Sequence, residues 1–294
     1  MRMKTGIIGG SGFYGLEGFN LIEEIKIKTP FGEPSDKYAR INFNGEEFFF
    51  LPRHGKGHRI MPSEINHKAN VYGFKKLGVE QIVSVSAVGS LKKEIRPRDI
   101  LFPDQYFDRT KQSANHTFFG NGIVAHISFA EPACSQLRAE LVSAARKVVA
   151  SFKDRRIRVF NGGTYVNMEG PAFSTRAESL FYKSCGFDVI GMTSLAEAKL
   201  CREAGICYQA IAMITDYDCW RQDTKEVSVD IILDNLRSNV TVAEKLLKEW
   251  LLVKYPQRAC SCSRSLENAI ITGEHFIPKK ILKDLEVIIG PYIR

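Results

Sequence analysis

Residues 5–28 read TGIIGGSGFYGLEGFNLIEEIKIK, and how this stretch folds decides what the rest of the chain can be. A short apolar run at 5–8 leads into Gly10-Ser11-Gly12-Phe13-Tyr14-Gly15, which matches the G-x-G-x-x-G fingerprint of dinucleotide-binding folds. That fingerprint requires a helix running on from the glycines and an acidic residue closing the next strand. Here Gly15 and Gly18 are followed by 21–28, which alternates like a strand and leaves no room for a helix of ordinary length. It ends in Lys28-Thr29-Pro30 rather than in an acid. The context therefore argues against a dinucleotide-binding oxidoreductase. What survives is a glycine-rich turn after a strand, whose Ser11 hydroxyl and backbone N–H groups suit an oxyanion. A plain tight turn is the simpler alternative.

Outward from that turn, apolar runs at 47–51, 81–87, 157–160, 188–190 and 208–215 alternate with helical patterns at about 63–77, 135–152 and 229–252. Two further helices open at Ser174 or Thr175, with Glu178 completing a capping box, and at Thr193 or Ser194, with Glu197 in the same role. Several strands are continuous apolar runs, as expected when both faces are buried. The pattern is α/β: a central mixed β-sheet flanked by helices in one domain, residues 1–253, with 254–294 as a C-terminal extension.

The chain has 294 residues, 44% hydrophobic and 25% charged, with a formal net charge of +8. The charges are scattered, so nucleic acid is not an expected partner. No apolar stretch reaches the roughly 18 residues of a membrane span, and the N-terminus lacks a signal-like apolar run; a cytoplasmic protein is expected. Cysteines stand at 134, 185, 201, 207, 219, 260 and 262. Only Cys260-Ser261-Cys262 has suggestive spacing, and no second ligand pair lies near it in sequence, so no metal site is expected.

Candidate chemistry clusters at strand ends. Arg53 and His54 follow the run at 47–51 and offer two donors where a phosphate could sit, with Arg53 supplying a bidentate fork. The run at 81–87 breaks into small residues, SAVGSL from Ser86 onward. Asn167 to Glu178 reads NMEGPAFSTRAE, Gly191 to Ser194 reads GMTS, and Ala212 to Asp218 reads AMITDYD. Two carboxylates at i and i+2, Asp216 and Asp218, point the same way if the chain is extended. A turn or helix-cap role is the alternative.

Together these segments resemble the methylthioadenosine-cleaving branch of the trimeric purine nucleoside phosphorylase family, from about Lys4 to Trp250. The pattern departs at Pro52, Val88 and Ala196, none of which carries a chemical group.

The resemblance implies displacement at C1′ of a ribose, with phosphate as co-substrate, purine as leaving group and no metal or organic cofactor. In this family's scheme Ser11, Arg53, His54, Ser86, Ala87 and Thr193 hold phosphate. Phe173, Met192, Tyr217 and Asp218 hold the nucleoside, and Asp216 protonates the purine at N7. Ser174, Val229, Ile232 and Leu233, with His126 from a neighbouring subunit, set the 5′ specificity. An Asp at 216, where users of 6-oxopurines carry Asn, favours adenine, and with it 5′-methylthioadenosine in purine and methionine salvage. A purine nucleoside phosphorylase of broad or 6-oxopurine preference is the alternative. A homotrimer or homohexamer is implied, as are disulfides in the Cys260-Ser261-Cys262 tail, with Cys134–Cys207 as a second candidate pair.

Overall fold

The computed structural model describes residues 3–10, 18–152, 157–221, 229–253 and 258–293, with side chains in the last long helix described from residue 234. In chain order the strands are β1 (Thr5–Gly9), β2 (Asn20–Ile25), β3 (Tyr38–Phe43), β4 (Glu46–Pro52), β5 (Gln81–Ser90), β6 (Ile100–Phe102), β7 (Gln105–Arg109), β8 (Val159–Asn161), β9 (Thr164–Met168), β10 (Val189–Gly191) and β11 (Cys207–Tyr217). The helices are α1 (His67–Lys76), α2 (Ser135–Ser151), α3 (Arg176–Ser184), α4 (Ser194–Glu203), α5 (Val229–Leu252), α6 (Lys279–Asp284) and α7 (Glu286–Ile289). Among the described residues no helix is long and apolar enough to cross a membrane.

The strands with continuous apolar runs occupy the middle of one mixed sheet, because only there are both faces covered. β1 lies parallel between β4 and β5, and β5 in turn runs parallel to β11. Antiparallel β3 and β2 extend the sheet beyond β4. β10, β9 and β7 extend it on the other side of β5, while β6 and β8 continue from β11. One face is sealed by α2 and α5, which bury Leu137, Leu141, Leu246 and Trp250 against β5 and β11. On the other face α1 and α4 pack Val71, Phe74, Ala198 and Leu200 against Ile8, Ile82 and Tyr208. Residues of the C-terminal stretch, including Leu266, Ile277 and Ile289, belong to that second core.

Four strands escape the sequence reading, each for a physical reason. β6 is only three residues long. β7 is a mostly exposed, polar strand. β3 and β9 carry Arg40, Asn42 and Asn167 inside otherwise apolar runs. The helix expected at 63–77 instead opens at His67, where the Asn66 side chain accepts from the Ala69 N–H; residues Pro62–Glu64 form a separate 3-10 turn. The strand expected at 21–28 stops at Ile25.

Candidate active site

The site arises where β5 changes partners. β1 pairs with β5 only as far as Ser84, and β10 joins at Gly89 and Ser90. Between these points residues 85–88 are laddered on the β11 side alone. One strand edge therefore opens into a cavity of about 350 Å³, lined by Gly10, Arg53, His54, residues 85–89, Met192, Thr193 and Asp216 among others. That size suits a small ligand, whose pockets run roughly 300–1,000 Å³. The ends of β1, β4 and β10 converge there, the usual location of ligands in open α/β sheets.

One end of the cavity is cationic and fixed. Arg53 is 2% exposed, and its Nε donates to Glu197 Oε1 at 2.6 Å, Nη1 to the Val85 carbonyl and Nη2 to Ser84 Oγ. Of the five guanidinium N–H groups, one on each terminal nitrogen is left for a ligand. Glu197 also accepts from Ser84 Oγ and from the Tyr208 hydroxyl. Burial alone would push its carboxyl up; Arg53, helped by His67 and Ser84, outweighs that and holds it below its ordinary value. Thr193 caps α4 without any side-chain capping bond, so the positive end of that helix meets the cavity with the hydroxyl uncommitted to the cap.

His54 corrects an expectation. The residue reads from sequence as a second donor, but its Nδ1 lies 2.8 Å from the Ile60 carbonyl, which fixes the proton there. Burial first, then the Arg53 charge, push its pKa down to about 4. Near neutral pH the ring is uncharged and its Nε2 accepts. It can take the remaining proton of a hydrogen phosphate but cannot donate to a bare oxyanion. His58 stacks on the ring, with centroids 4.3 Å apart.

The other end carries two carboxylates, placed by a β-bulge. The register of β11 against β5 slips between Ile214 and Asp216. Before the slip Met213 and Thr215 face the cavity; after it Asp216 and Asp218 do. A bulge adds one residue and so switches which parity points inward. Two asparagines of α5 hold the bulge from behind: Asn235 donates to the Thr215 carbonyl at 2.6 Å and Asn239 to the Ile214 carbonyl at 2.9 Å. Thr215 Oγ1 donates to Asp216 Oδ2 at 2.7 Å. Oδ1 remains, lying where a Cβ on Gly89 would come within 3.2 Å, so a side chain on β5 at that point would press on the carboxyl. Burial pushes the Asp216 carboxyl up to about 6, and the neighbouring Asp218 adds to the rise, against the Thr215 bond. Asp218 is also raised, mainly by burial.

Of the sequence-derived residues, Arg53, His54, Ser86, Ala87, Phe173, Met192, Thr193, Asp216 and Asp218 line this one cavity. Ser174 stands beside Asp218, with its Oγ on Met168 Sδ. Tyr217 turns the opposite way, as alternation along a strand demands, and its hydroxyl donates to the Lys93 carbonyl. His126 is exposed; its backbone N–H donates to Ala269, outside the cavity of its own chain. Ser11 and the side chains of Val229, Ile232 and Leu233 lie outside the described residues.

From sequence Glu197 reads only as a cap. Thr193 is the true cap, which moves Glu197 one position past the capping box and turns it inward. Leu236, Val240 and Ala243 of α5 form an apolar wall at i, i+4 and i+7. That spacing is visible in the sequence, but it also describes ordinary core packing.

The sequence profile of the Phosphorylase superfamily matches residues 4–251. The chain belongs to this superfamily. Within the superfamily it is 49% identical over 293 residues to the S-methyl-5′-thioadenosine phosphorylase of Geobacter sulfurreducens, covering 100% of both chains. Its fold superimposes on a crystal structure of a methylthioadenosine phosphorylase from an Antarctic soil metagenomic library, with TM-score 0.90, 41% identity and coverage of 98% and 99% of the two chains. It also matches a point mutant of the adenosine/methylthioadenosine phosphorylase of Schistosoma mansoni solved with methylthioadenosine. There the TM-score is 0.77 and the identity 38%, covering 85% of this superfamily member and 91% of that chain.

Proposed function

We propose that this enzyme catalyses the reversible phosphorolysis of 5′-methylthioadenosine to adenine and 5-methylthioribose 1-phosphate. The observation that carries the reading is one cavity with a fixed cationic end and a proton-holding dicarboxylate end. Phosphate lies at the Arg53, His54, Ser86, Ala87 and Thr193 end, against the N-terminus of α4; the family scheme assigns Ser11 to the same task. Its oxygen forms a bond to C1′ as the C1′–N9 bond breaks, through a cationic, oxocarbenium-like sugar. Asp216 gives its proton to N7, so the purine departs neutral. General acid catalysis of this kind is worth about 10²–10⁴-fold. Asp218 accepts from the 6-amino group, and Phe173 stacks on the base. No metal or organic cofactor takes part.

The apolar wall of Leu236, Val240 and Ala243 accepts the methylthio group; the family scheme gives Val229, Ile232 and Leu233 the same role. Such a surface rejects an added hydroxyl by only about 1–3 kcal/mol, so adenosine is a slower substrate of the same site. The assembly that goes with this reading is a homotrimer or a dimer of trimers, in which the exposed His126 completes a neighbouring subunit's 5′ pocket; the enzyme works in the cytoplasm. Purine release should be followed from methylthioadenosine, adenosine, inosine and guanosine in phosphate buffer. Methylthioadenosine should have the highest kcat/KM. A preference for inosine or guanosine overturns the assignment, and an active monomer in sedimentation removes the role given to His126.

A further inference from the structure

At the opposite end of β11 from the carboxylates, four cysteines meet. Cys207 opens the strand, Cys134 caps the N-terminus of α2, and Cys260 and Cys262 come from the C-terminal stretch. Their Sγ atoms all lie within 4.8 Å of one another. Cys134, Cys207 and Cys262 are 2%, 0% and 4% exposed. The sequence offered Cys260 and Cys262 without a second pair nearby; folding supplies Cys134 and Cys207. None of the seven cysteines is in a disulfide, and a 3.3 Å approach, between Cys207 and Cys260, joins neither of the pairs expected from sequence.

We propose that these four cysteines form a structural zinc site that fastens the C-terminal segment to the body of the enzyme. Four thiolates in a closed shell are a familiar structural zinc set, and soft sulfur ligands favour zinc over magnesium, calcium or manganese. With Zn–S bonds of about 2.3 Å, tetrahedral sulfurs stand about 3.8 Å apart, so the cluster requires only small adjustments. The surroundings suit anionic sulfur. Cys134 makes no side-chain capping bond, so its sulfur sits at the positive end of a 17-residue helix. Arg258 stands beside Cys260, donates from Nη2 to the Gly205 carbonyl and has a buried Nε with no hydrogen-bond partner among the described residues. The segment is also tied down nearby, since the Ala259 N–H donates to Gln136 Oε1 and Ser265 Oγ to the Arg202 carbonyl. Binding replaces four S–H protons by one Zn²⁺ and releases the protons to solvent, with no change of oxidation state. A pair of disulfides in the same place requires an oxidant to take four electrons.

Cys207 is nine residues before Asp216, about 30 Å along an extended strand, so the site acts on stability and not on the chemistry. Elemental analysis and native mass spectrometry of the full-length protein should find one zinc per chain. The fully reduced, metal-stripped protein, titrated anaerobically with Co²⁺, should take up one equivalent. Its spectrum should carry the thiolate-to-cobalt charge-transfer bands and intense d–d bands of a tetrahedral S₄ site, and Zn²⁺ should abolish them. A Cys260→Ala/Cys262→Ala double variant should lose that equivalent and melt several degrees lower, with kcat/KM at 25 °C within twofold of wild type. Failure of the folded, reduced wild type to bind either ion overturns the proposal. So does metal-free native protein four hydrogens lighter than its reduced form, which establishes two disulfides instead.

Discussion

The two ends of the active-site cavity both bury charge, and they do so in opposite ways. At one end the Arg53 guanidinium is held by Glu197 within a network of Ser84, Tyr208 and the Val85 carbonyl that leaves one N–H on each terminal nitrogen for an anion. At the other, Asp216 and Asp218 share a wall and no cation answers them among their described hydrogen bonds and ion pairs; the Asp216 carboxyl is raised to about 6 and that of Asp218 is raised as well. A buried pair of opposite charges is rigid and keeps its ionisation; a buried pair of like charges titrates. The first arrangement can position an anion, and the second can deliver a proton.

The sharpest way to break this contrast is Asp216→Asn. Asparagine has no acid proton, so kcat/KM for methylthioadenosine should fall about 10²–10⁴-fold, while the rate on inosine relative to methylthioadenosine rises. The same change should stabilise the fold. The wild-type carboxyl is raised from 3.8 to about 6 on folding, so the folded state holds its proton more tightly and loses stability as pH climbs between those values. Above pH 7 the variant should exceed wild type by about 1–3 kcal/mol in urea denaturation, with the advantage gone below pH 4. A turn acid without catalytic function would leave activity nearly unchanged. In wild type the descending limb of kcat/KM should start near pH 6 and be missing from the variant. His54, already neutral above about pH 4, adds no limb of its own above pH 5.

Glu197→Ala tests the opposite end and should cost stability instead of gaining it. It leaves the Arg53 guanidinium buried without its counter-charge, a loss of about 3–5 kcal/mol. Phosphate KM should rise more than nucleoside KM in whatever fraction remains folded. A stability change under 1 kcal/mol would mean that the pair is not the fixed element described here.

The smallest effect belongs to the support of the bulge. Asn239→Ala removes one of two donors from the Ile214 carbonyl, the Arg98 N–H remaining, at about 0.5–1.5 kcal/mol of stability. If the bulge sets the acidity of Asp216, the descending pH limb should move as well. An unmoved limb would confine Asn239 to a packing role.

Those residues differ in how far the sequence revealed them. Arg53, His54, Thr193, Asp216 and Asp218 were legible because each follows an apolar strand or opens a helix, where side chains reach a cavity. The inward turn of Glu197 was not, since it hinges on whether Thr193 or Ser194 is the cap, and one residue turns a helical side chain by about 100°. The slip at Thr215 was also hidden, because a bulge leaves no mark in an apolar run. The donor or acceptor character of His54 depends on the Ile60 carbonyl, which a turn brings back six residues later. The four-sulfur cluster needed the tertiary fold altogether, as its members span residues 134 to 262.

The central claim is that the cationic end holds the nucleophile. Adenine release from methylthioadenosine should be measured in phosphate-free buffer and again with added phosphate or arsenate, with the sugar product identified by mass spectrometry. Release should depend on the added anion, saturate with it, and yield 5-methylthioribose 1-phosphate when the anion is phosphate. Adenine release at the full rate without phosphate or arsenate, with free methylthioribose as the product, would make the enzyme a hydrolase and contradict the account.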